Sequence, residues 1–244
     1  MKRNVLIDAF NICMASAFEC ASRYKDFYEN EEEKDTRVWG CVIGHITRLK
    51  KALPNVDTWY VCWDSKGGKD FRVERDSSYK ANRTKYPVPY KTIMGCKDLF
   101  EQYGMINVSL DKAEADDIIY TLSQILTEKG DCRNIIVSRD RDMIQTVQAG
   151  YASGQWDPFS RSFVNIPTYD IIVYKSLVGD ASDNIKGVKG IGPKKALAVI
   201  EGSFKLTQEQ EEEYEKARDI VDFKRNPRFT ENYQAISKMN FLYN

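Results

Sequence analysis

Three short apolar runs in this chain, VLIDAF, YVCWDS and IIVSRDRD, each carry an aspartate at their C-terminal side: Asp8, Asp64 and Asp140. Runs of this length and composition read as buried strands. An unpaired carboxylate in a core is costly to desolvate, so a core alone does not explain acids in these places. Further acids stand at tight spacings: Glu114, Asp116 and Asp117 in AEADD, Asp142 two residues after Asp140, and Asp180 with Asp183. Each subset has an ordinary explanation, since acids in a first helical turn complement the macrodipole and aspartates cap turns. The joint pattern does not, because several separated segments each place acids at a strand end or helix start. Hard oxygen ligands in such number point to divalent metal ions and to phosphate as the substrate.

The coarse element pattern supports convergence. Strands are predicted at 4–10, 56–64, 105–110 and 134–140, with further strand candidates at 150–152 and 162–166 forming a hairpin around Asp157-Pro158. Helical spacing covers 35–53, with Val38, Val42, Ile46, Leu49 and Leu53, and returns at 91–103, after AEADD, at 168–178 and from Pro193 to Ile200. The tail adds an acidic helix, QEQEEEYEKARDIV, whose EQEEE run reads as a solvated face. Alternating strands and helices predict an α/β chain with a mostly parallel sheet covered on both faces. In such sheets, sites form at the carboxyl ends of strands.

Composition excludes little but narrows the chemistry. Lys+Arg and Asp+Glu balance at 36 each, so only local patches bear on nucleic acid. The single histidine, His45, lies in an apolar helical pattern and reads as structural, which argues against histidine general-base chemistry. The six cysteines form no metal-type pair and read as buried thiols of a reducing, cytoplasmic compartment. No apolar run is long enough to span a membrane.

Two segments supply cations. Between Lys66 and Lys91 stand eight bases against three acids, interleaved with Tyr79, Tyr86 and Tyr90. Bases for phosphates and aromatics for stacking are the ingredients of a nucleic-acid contact. On a helix, Lys80 and Arg83 would share a face and both reach a scissile phosphate. The second segment, LVGDASDNIKGVKGIGPKKA, joins Gly187, Gly190 and Gly192 with Lys186, Lys189, Lys194 and Lys195. Glycines admit close backbone approach to a phosphate, and the helix that follows adds a favourable dipole.

Together VLIDAFN, VCWDSKGGKDFR, YKANR, AEADDIIYTL, SRDRDMIQ and the glycine-lysine segment resemble the 5′ nuclease family over roughly residues 4–200. That family includes flap endonucleases, bacteriophage 5′-exonucleases and the 5′-nuclease domain of bacterial DNA polymerase I. The resemblance implies a PIN-like catalytic core over 1–166 with an arch region at about 65–104, and a helix–three-turn–helix plus helical tail over 167–244. It implies metal-dependent 5′-3′ exonuclease or flap endonuclease cleavage near 5′ ends at single-strand/duplex junctions, leaving a 5′-phosphate, in primer removal or repair.

By position, the resemblance assigns Asp8, Asp64, Glu114, Asp116 and Asp140 to a first metal site and Asp142, Asp180 and Asp183 to a second, with Asp117 beside both. It implies two Mg²⁺ ions, with Mn²⁺ able to substitute, and K⁺ at the helix–three-turn–helix. Lys80 and Arg83 match the basic pair at the arch foot, and Tyr79 matches a base-stacking position. Arg72, Lys85 and the glycine-lysine set complete the nucleic-acid contacts. The implied partners are flap, nicked or overhanging DNA, RNA–DNA hybrids and replication proteins, met by a monomer. Pro87 and Pro89 interrupt helix in the arch region, and 19–36 reads as an insertion. A PIN-type single-strand ribonuclease and a non-catalytic junction-binding protein are the competing readings.

Overall fold

The computed structural model describes residues 1–24, 31–82 and 88–242. Its chain order begins with β1 (Lys2–Asp8), α1 (Ala9–Arg23), α2 (Glu31–Ala52), β2 (Thr58–Trp63), α3 (Asp70–Arg75), α4 (Tyr90–Met94), α5 (Cys96–Gln102) and β3 (Ile106–Ser109). There follow α6 (Ala115–Lys129), β4 (Cys132–Val137), α7 (Ile144–Gln148), β5 (Gly154–Asp157), β6 (Ser162–Phe163) and α8 (Ile171–Val178). A two-residue ribbon, β7 (Gly179–Asp180) and β8 (Ile185–Lys186), precedes α9 (Pro193–Ile200), α10 (Gln208–Val221) and α11 (Phe229–Ser237). The main sheet has the order β3-β2-β1-β4-β5-β6. Its first five strands are parallel, and only β5 and β6 pair antiparallel.

The central strands are near-continuous apolar runs because helices cover both faces. Val5, Ile7, Val61, Trp63, Ile135 and Val137 point to one side, against Ile12 and Cys13 of α1, Val42 and Ile46 of α2 and Phe100 of α5. Leu6, Tyr60, Cys62 and Ile136 point to the other, against Ile118 and Leu122 of α6. Phe223 and Ile236 belong to that same second cluster, so the chain after α10 returns to the sheet. Near the base of the sheet, Asn4 and Asn134 stand in register and share a buried 2.9 Å hydrogen bond.

Several boundaries differ from the sequence expectation for identifiable reasons. The first strand stops at Asp8 rather than running to residue 10, because the Asp8 carboxylate caps α1 by accepting from the Asn11 N–H at 3.0 Å. Helix α1 was not foreseen. Its buried face is built from Ile12 and from Ala9, Cys13, Ser16, Ala17 and Cys20, mostly small residues that give a weak apolar period. The segment read as an insertion at 19–36 contains the end of α1 and the start of α2; residues 25–30 lie outside the described residues. The hairpin after β4 forms, but its first strand is Gly154–Asp157 rather than 150–152. The helix expected over 91–103 is two short helices meeting at Gly95, where an added Cβ would stand 2.8 Å from the Trp39 ring. The acidic tail helix starts at a capping box of Thr207 and Gln210.

Candidate active site

The parallel topology brings the carboxyl ends of β1, β2 and β4 side by side, and the acids arrive with them. Asp8 ends β1 and also accepts from the Ser138 hydroxyl at 3.1 Å. Asp64 follows β2 and accepts from the Ala115 N–H at 2.7 Å, which locks the strand end to the start of α6. Asp140 follows β4; its backbone N–H donates to Ser138 and its carboxylate accepts from the Asp142 N–H at 2.9 Å. Glu114 is the N-cap residue of α6, with Asp116 and Asp117 in the first turn. Asp180 and Asp183 lie in the β7–β8 ribbon and its turn.

The electrostatics separate these acids into two sets. Burial pushes the Asp8 carboxyl up to about 7, helped by the charges of Asp64 and Asp140. Burial likewise holds Asp116 well above the usual carboxylate range, with Asp140, Asp8 and Glu114 adding repulsion. Among the described residues, Asp8, Asp116 and Asp140 form no ion pair.

The second set is knit to cations. Lys80 Nζ lies 2.7 Å from Glu114 and 3.7 Å from Asp183. Lys175 bridges Asp142 and Asp180, the latter at 2.6 Å. Burial raises Asp142 to about 7, with Asp140 adding to the shift and Lys175 opposing it. Burial also raises Asp180, but hydrogen bonds from Lys175 and Ser182 outweigh it and hold the group at about 2. Lys175 did not figure in the sequence reading. Its signal was a lone cation in the apolar helix IIVYKSLV, five residues before Asp180.

Three expected contacts take other places. Arg72 was assigned to nucleic acid; instead it is 2% exposed and faces inward. Its guanidinium donates to Glu114 at 2.6 Å, to Asp117 at 2.9 and 3.1 Å, and to the Ile220 carbonyl at 3.2 Å. Asp117 is therefore the internal partner of Arg72, which accounts for an acid otherwise assigned to metal. Tyr79 was expected to stack on a base, yet its ring is buried and its hydroxyl lies 3.3 Å from both Glu114 and Asp183. Lys80 is not on a helix. It occupies a turn at φ 53 and is anchored by its N–H to the Asp183 carbonyl at 2.8 Å. Arg83 and Lys85 lie outside the described residues.

The glycine-lysine segment divides similarly. Lys186, Lys189, Lys194 and Lys195 are exposed, and Lys195 donates to the Gly190 carbonyl at 3.0 Å. Gly190 (φ 78) and Gly192 have open space where a Cβ would point, which leaves their backbone approachable. Gly187 does not: a Cβ there would stand 2.3 Å from the Val178 carbonyl carbon, so packing dictates this glycine. The EQEEE run also does more than face solvent, since Glu213 accepts from the Lys189 N–H at 2.8 Å. His45 is buried and lies 3.1 Å from Glu19.

The donor chemistry suits hard divalent cations: buried carboxylates that raise one another's proton affinity lack a compensating charge. As arranged, no group of three or more Asp, Glu, His or Cys side chains among the described residues is set to hold one ion. The lysine bridges engage Glu114, Asp142, Asp180 and Asp183, and those bridges would have to open for these acids to serve as ligands.

Comparison with known proteins places this arrangement. The family described as "5′-3′ exonuclease, N-terminal resolvase-like domain" matches residues 3–161. A 5′-3′ exonuclease of Bacillus subtilis is 29% identical over 212 residues, covering 80% of this chain and 69% of that protein. A 5′-3′ exonuclease of Mycoplasma pneumoniae is 31% identical over 159 residues, and the match spans 59% of this chain but only 53% of that protein. Among solved structures, the T5 D15 protein co-crystallised with metal ions has a TM-score of 0.67 at 18% identity, covering 97% of this chain and 94% of that one. A bacteriophage T5 D15 flap endonuclease complexed with DNA and metal ions gives 0.66 at 19% identity. At these identities the two structures speak for the shared fold.

Proposed function

Because the chain belongs to the 5′-3′ exonuclease family, we propose that it is a divalent-metal-dependent, structure-specific 5′ nuclease. Its substrates in this reading are flap, nicked or 5′-overhanging DNA, with an RNA–DNA hybrid as a further form. It acts as a cytoplasmic monomer alongside replication proteins. One observation carries the reading: Asp8 and Asp140 stand at adjacent strand ends with Asp116 in the first turn of α6, and burial plus the charges of neighbouring acids favours the protonated forms of Asp8 and Asp116. Such a cluster is unfavourable unless a cation joins it. Mg²⁺ is the natural occupant and Mn²⁺ a substitute for hard oxygen ligands, and the co-crystallisation of T5 relatives with metal ions supports a metal at this site.

In this reading Asp8, Asp64, Asp116 and Asp140 hold the first ion. Glu114 joins them directly or through water. Asp142, Asp180 and Asp183 hold a second once Lys175 moves aside. Bound ions supply Lewis acidity and neutralise the charge of the phosphate. The chain's own groups do the rest. Lys80, freed from Glu114, and Arg83 stabilise charge on the scissile phosphate. Ser138 and Asn11 fix the Asp8 carboxylate. Exposed Lys186, Lys189, Lys194 and Lys195, with the open backbone at Gly190 and Gly192, contact duplex phosphates; a K⁺ ion at the same turn would compete with Lys195 for the Gly190 carbonyl.

Cleavage of labelled flap, nicked and RNA-primed duplexes with and without Mg²⁺ tests the reading. Metal-dependent release of 5′ products is expected, and Asp140→Asn is expected to abolish it while junction binding persists. Full activity in Asp140→Asn, or cutting of single-stranded RNA in preference to flaps, would overturn it.

A further inference from the structure

Beside the acids lies a cavity of about 760 Å³. Helix α1, helix α2 and the β5–β6 hairpin form its walls, and nothing in the proposed chemistry uses it. It opens directly beside the acidic cluster: Asn11 and Arg139 line both this cavity and the cleft that holds Asp140 and Asp180. The junction is tied by hydrogen bonds. The Arg139 N–H donates to the Asn11 side chain at 3.2 Å, and the Asn11 N–H in turn caps onto Asp8.

The lining is cationic and aromatic together. Arg23, Arg48, Arg139 and Arg161 all face the cavity, against one carboxylate, Glu19. Glu19 is already engaged by Arg23 and by His45 at 3.1 Å, with Arg48 at 3.9 Å. Burial, and then the charge of Arg48, lowers the His45 pKa, so that ring adds no charge of its own at neutral pH. Among the described residues Arg139 and Arg161 form no ion pair. Phe18 is 53% exposed and Phe159 39% exposed, two of the few large hydrophobic side chains left open to solvent. Phe159 is held in place by Arg139, 5.5 Å above its ring, and by His45 at 5.9 Å.

Guanidinium groups without carboxylates bind phosphate, and open aromatic faces bind bases. The combination is selective. A duplex hides its base faces within the stack, whereas an unpaired strand offers them. We infer that this cavity binds an unpaired nucleic-acid strand, phosphates on Arg139 and Arg161 and a base against Phe159, as that strand leaves the acidic cluster. This inference rests on the nuclease reading for what the strand is doing there. The chemistry is common to single-stranded DNA and RNA, since neither stacking nor phosphate pairing requires the sugar hydroxyl.

A binding titration in EDTA tests it, with labelled oligothymidylate, oligouridylate and a blunt duplex as probes. Phe159→Ala is expected to weaken binding of the single strands by about five- to 150-fold, the range of one lost base–aromatic stack, and the duplex by a smaller factor. Arg161→Ala is expected to lower the slope of log affinity against log salt for single strands by about 0.7. Weakening of one single strand or both supports the inference and identifies the sugar type. Equal losses on all probes, or no loss with either variant, overturn it. Melting curves of both variants separate a folding defect, and the exposed Arg161 keeps the test open if Phe159→Ala unfolds. Because the titration contains no metal, failure of the wild-type protein to cut flaps would refute the nuclease reading while leaving this result readable.

Discussion

Arg72 offers the sharpest test of how the site is held together. Its side chain makes four polar contacts: one to Glu114, two to Asp117 and one to the Ile220 carbonyl of α10. Arg72→Met keeps the volume and removes all four. Glu114 retains Lys80 at 2.7 Å, but Asp117, only 3% exposed, loses the cation that both its oxygens face. Leaving one member of a buried ion pair without its partner costs about 3–5 kcal/mol. For a chain of this size each kcal/mol moves the melting temperature by about 2–4 °C, so a drop of roughly 6–20 °C is expected. The second half of the cycle is Arg72→Met with Asp117→Asn, which removes the stranded charge and is expected to recover more than half of the loss. Thermal and urea melts of the four proteins measure both. The reasoning fails if Arg72→Met melts like the parent while its DNA affinity and salt slope fall, for that is the behaviour of an outward-facing phosphate contact.

Two further perturbations follow from the same geometry. Gly187→Ala drives a Cβ into the Val178 backbone at 2.3 Å; overpacking against a backbone that has little room to yield is expected to cost about 1–3 kcal/mol, read by urea denaturation, and an unchanged midpoint would return this glycine to the phosphate role. The raised carboxyls of Asp8 and Asp142, at about 7 against an ordinary 3.8, mean the folded metal-free protein binds more protons than the unfolded chain between those values. Their stabilising contribution is therefore complete below about pH 3.8 and lost as pH rises through about 7. Calorimetry of EDTA-treated protein should show this loss, millimolar Mg²⁺ should reverse it above pH 7, and Asp8→Asn should flatten it. A pH slope identical in Asp8→Asn and parent would exclude Asp8 as a source.

How much of this was legible in the sequence depends on the range over which the information acts. Asp8, Asp64 and Asp140 were readable as strand-end acids because the apolar run before each one is local and unambiguous. The parallel sheet that aligns those ends followed from the alternation of strands and helices. Helix α1 escaped because Ile12 is the one large apolar side chain among its buried residues, the others being the small Ala9, Cys13, Ser16, Ala17 and Cys20. Arg72 and Tyr79 were misjudged for a different reason. A basic or aromatic residue in a basic segment reads as outward-facing, and only tertiary structure brings Asp117 within reach across 45 residues and Asp183 across 104. Lys175 is the reverse case: a cation in an apolar helix was visible, but its two partners come from either side of it in sequence.

The distribution of cations among the acids bears on how the site is used. Arg72, Lys80 and Lys175 all lie at the margin of the cluster, on Glu114, Asp117, Asp142, Asp180 and Asp183. Asp8, Asp116 and Asp140, at its centre, receive none among the described residues. A fold could neutralise such a centre with one more lysine, as it does at Asp180. Here it leaves the centre to protons, which is why Asp8 and Asp116 hold them at raised pKa. A proton on a carboxylate and a cation beside it are mutually exclusive solutions to the same excess charge, so cation entry must release protons and must strengthen as pH rises. At the margin the competitor is an ammonium group instead, whose charge persists to high pH because burial lowers the Lys175 pKa by less than Asp142 and its neighbours raise it. Cation binding at the centre is therefore governed by pH, whereas binding at Asp180 is governed by displacement of Lys175, and Asp142, raised to about 7 despite that lysine, answers to both. The two halves of the acidic cluster should fill by different laws, even though their acids look alike in the sequence.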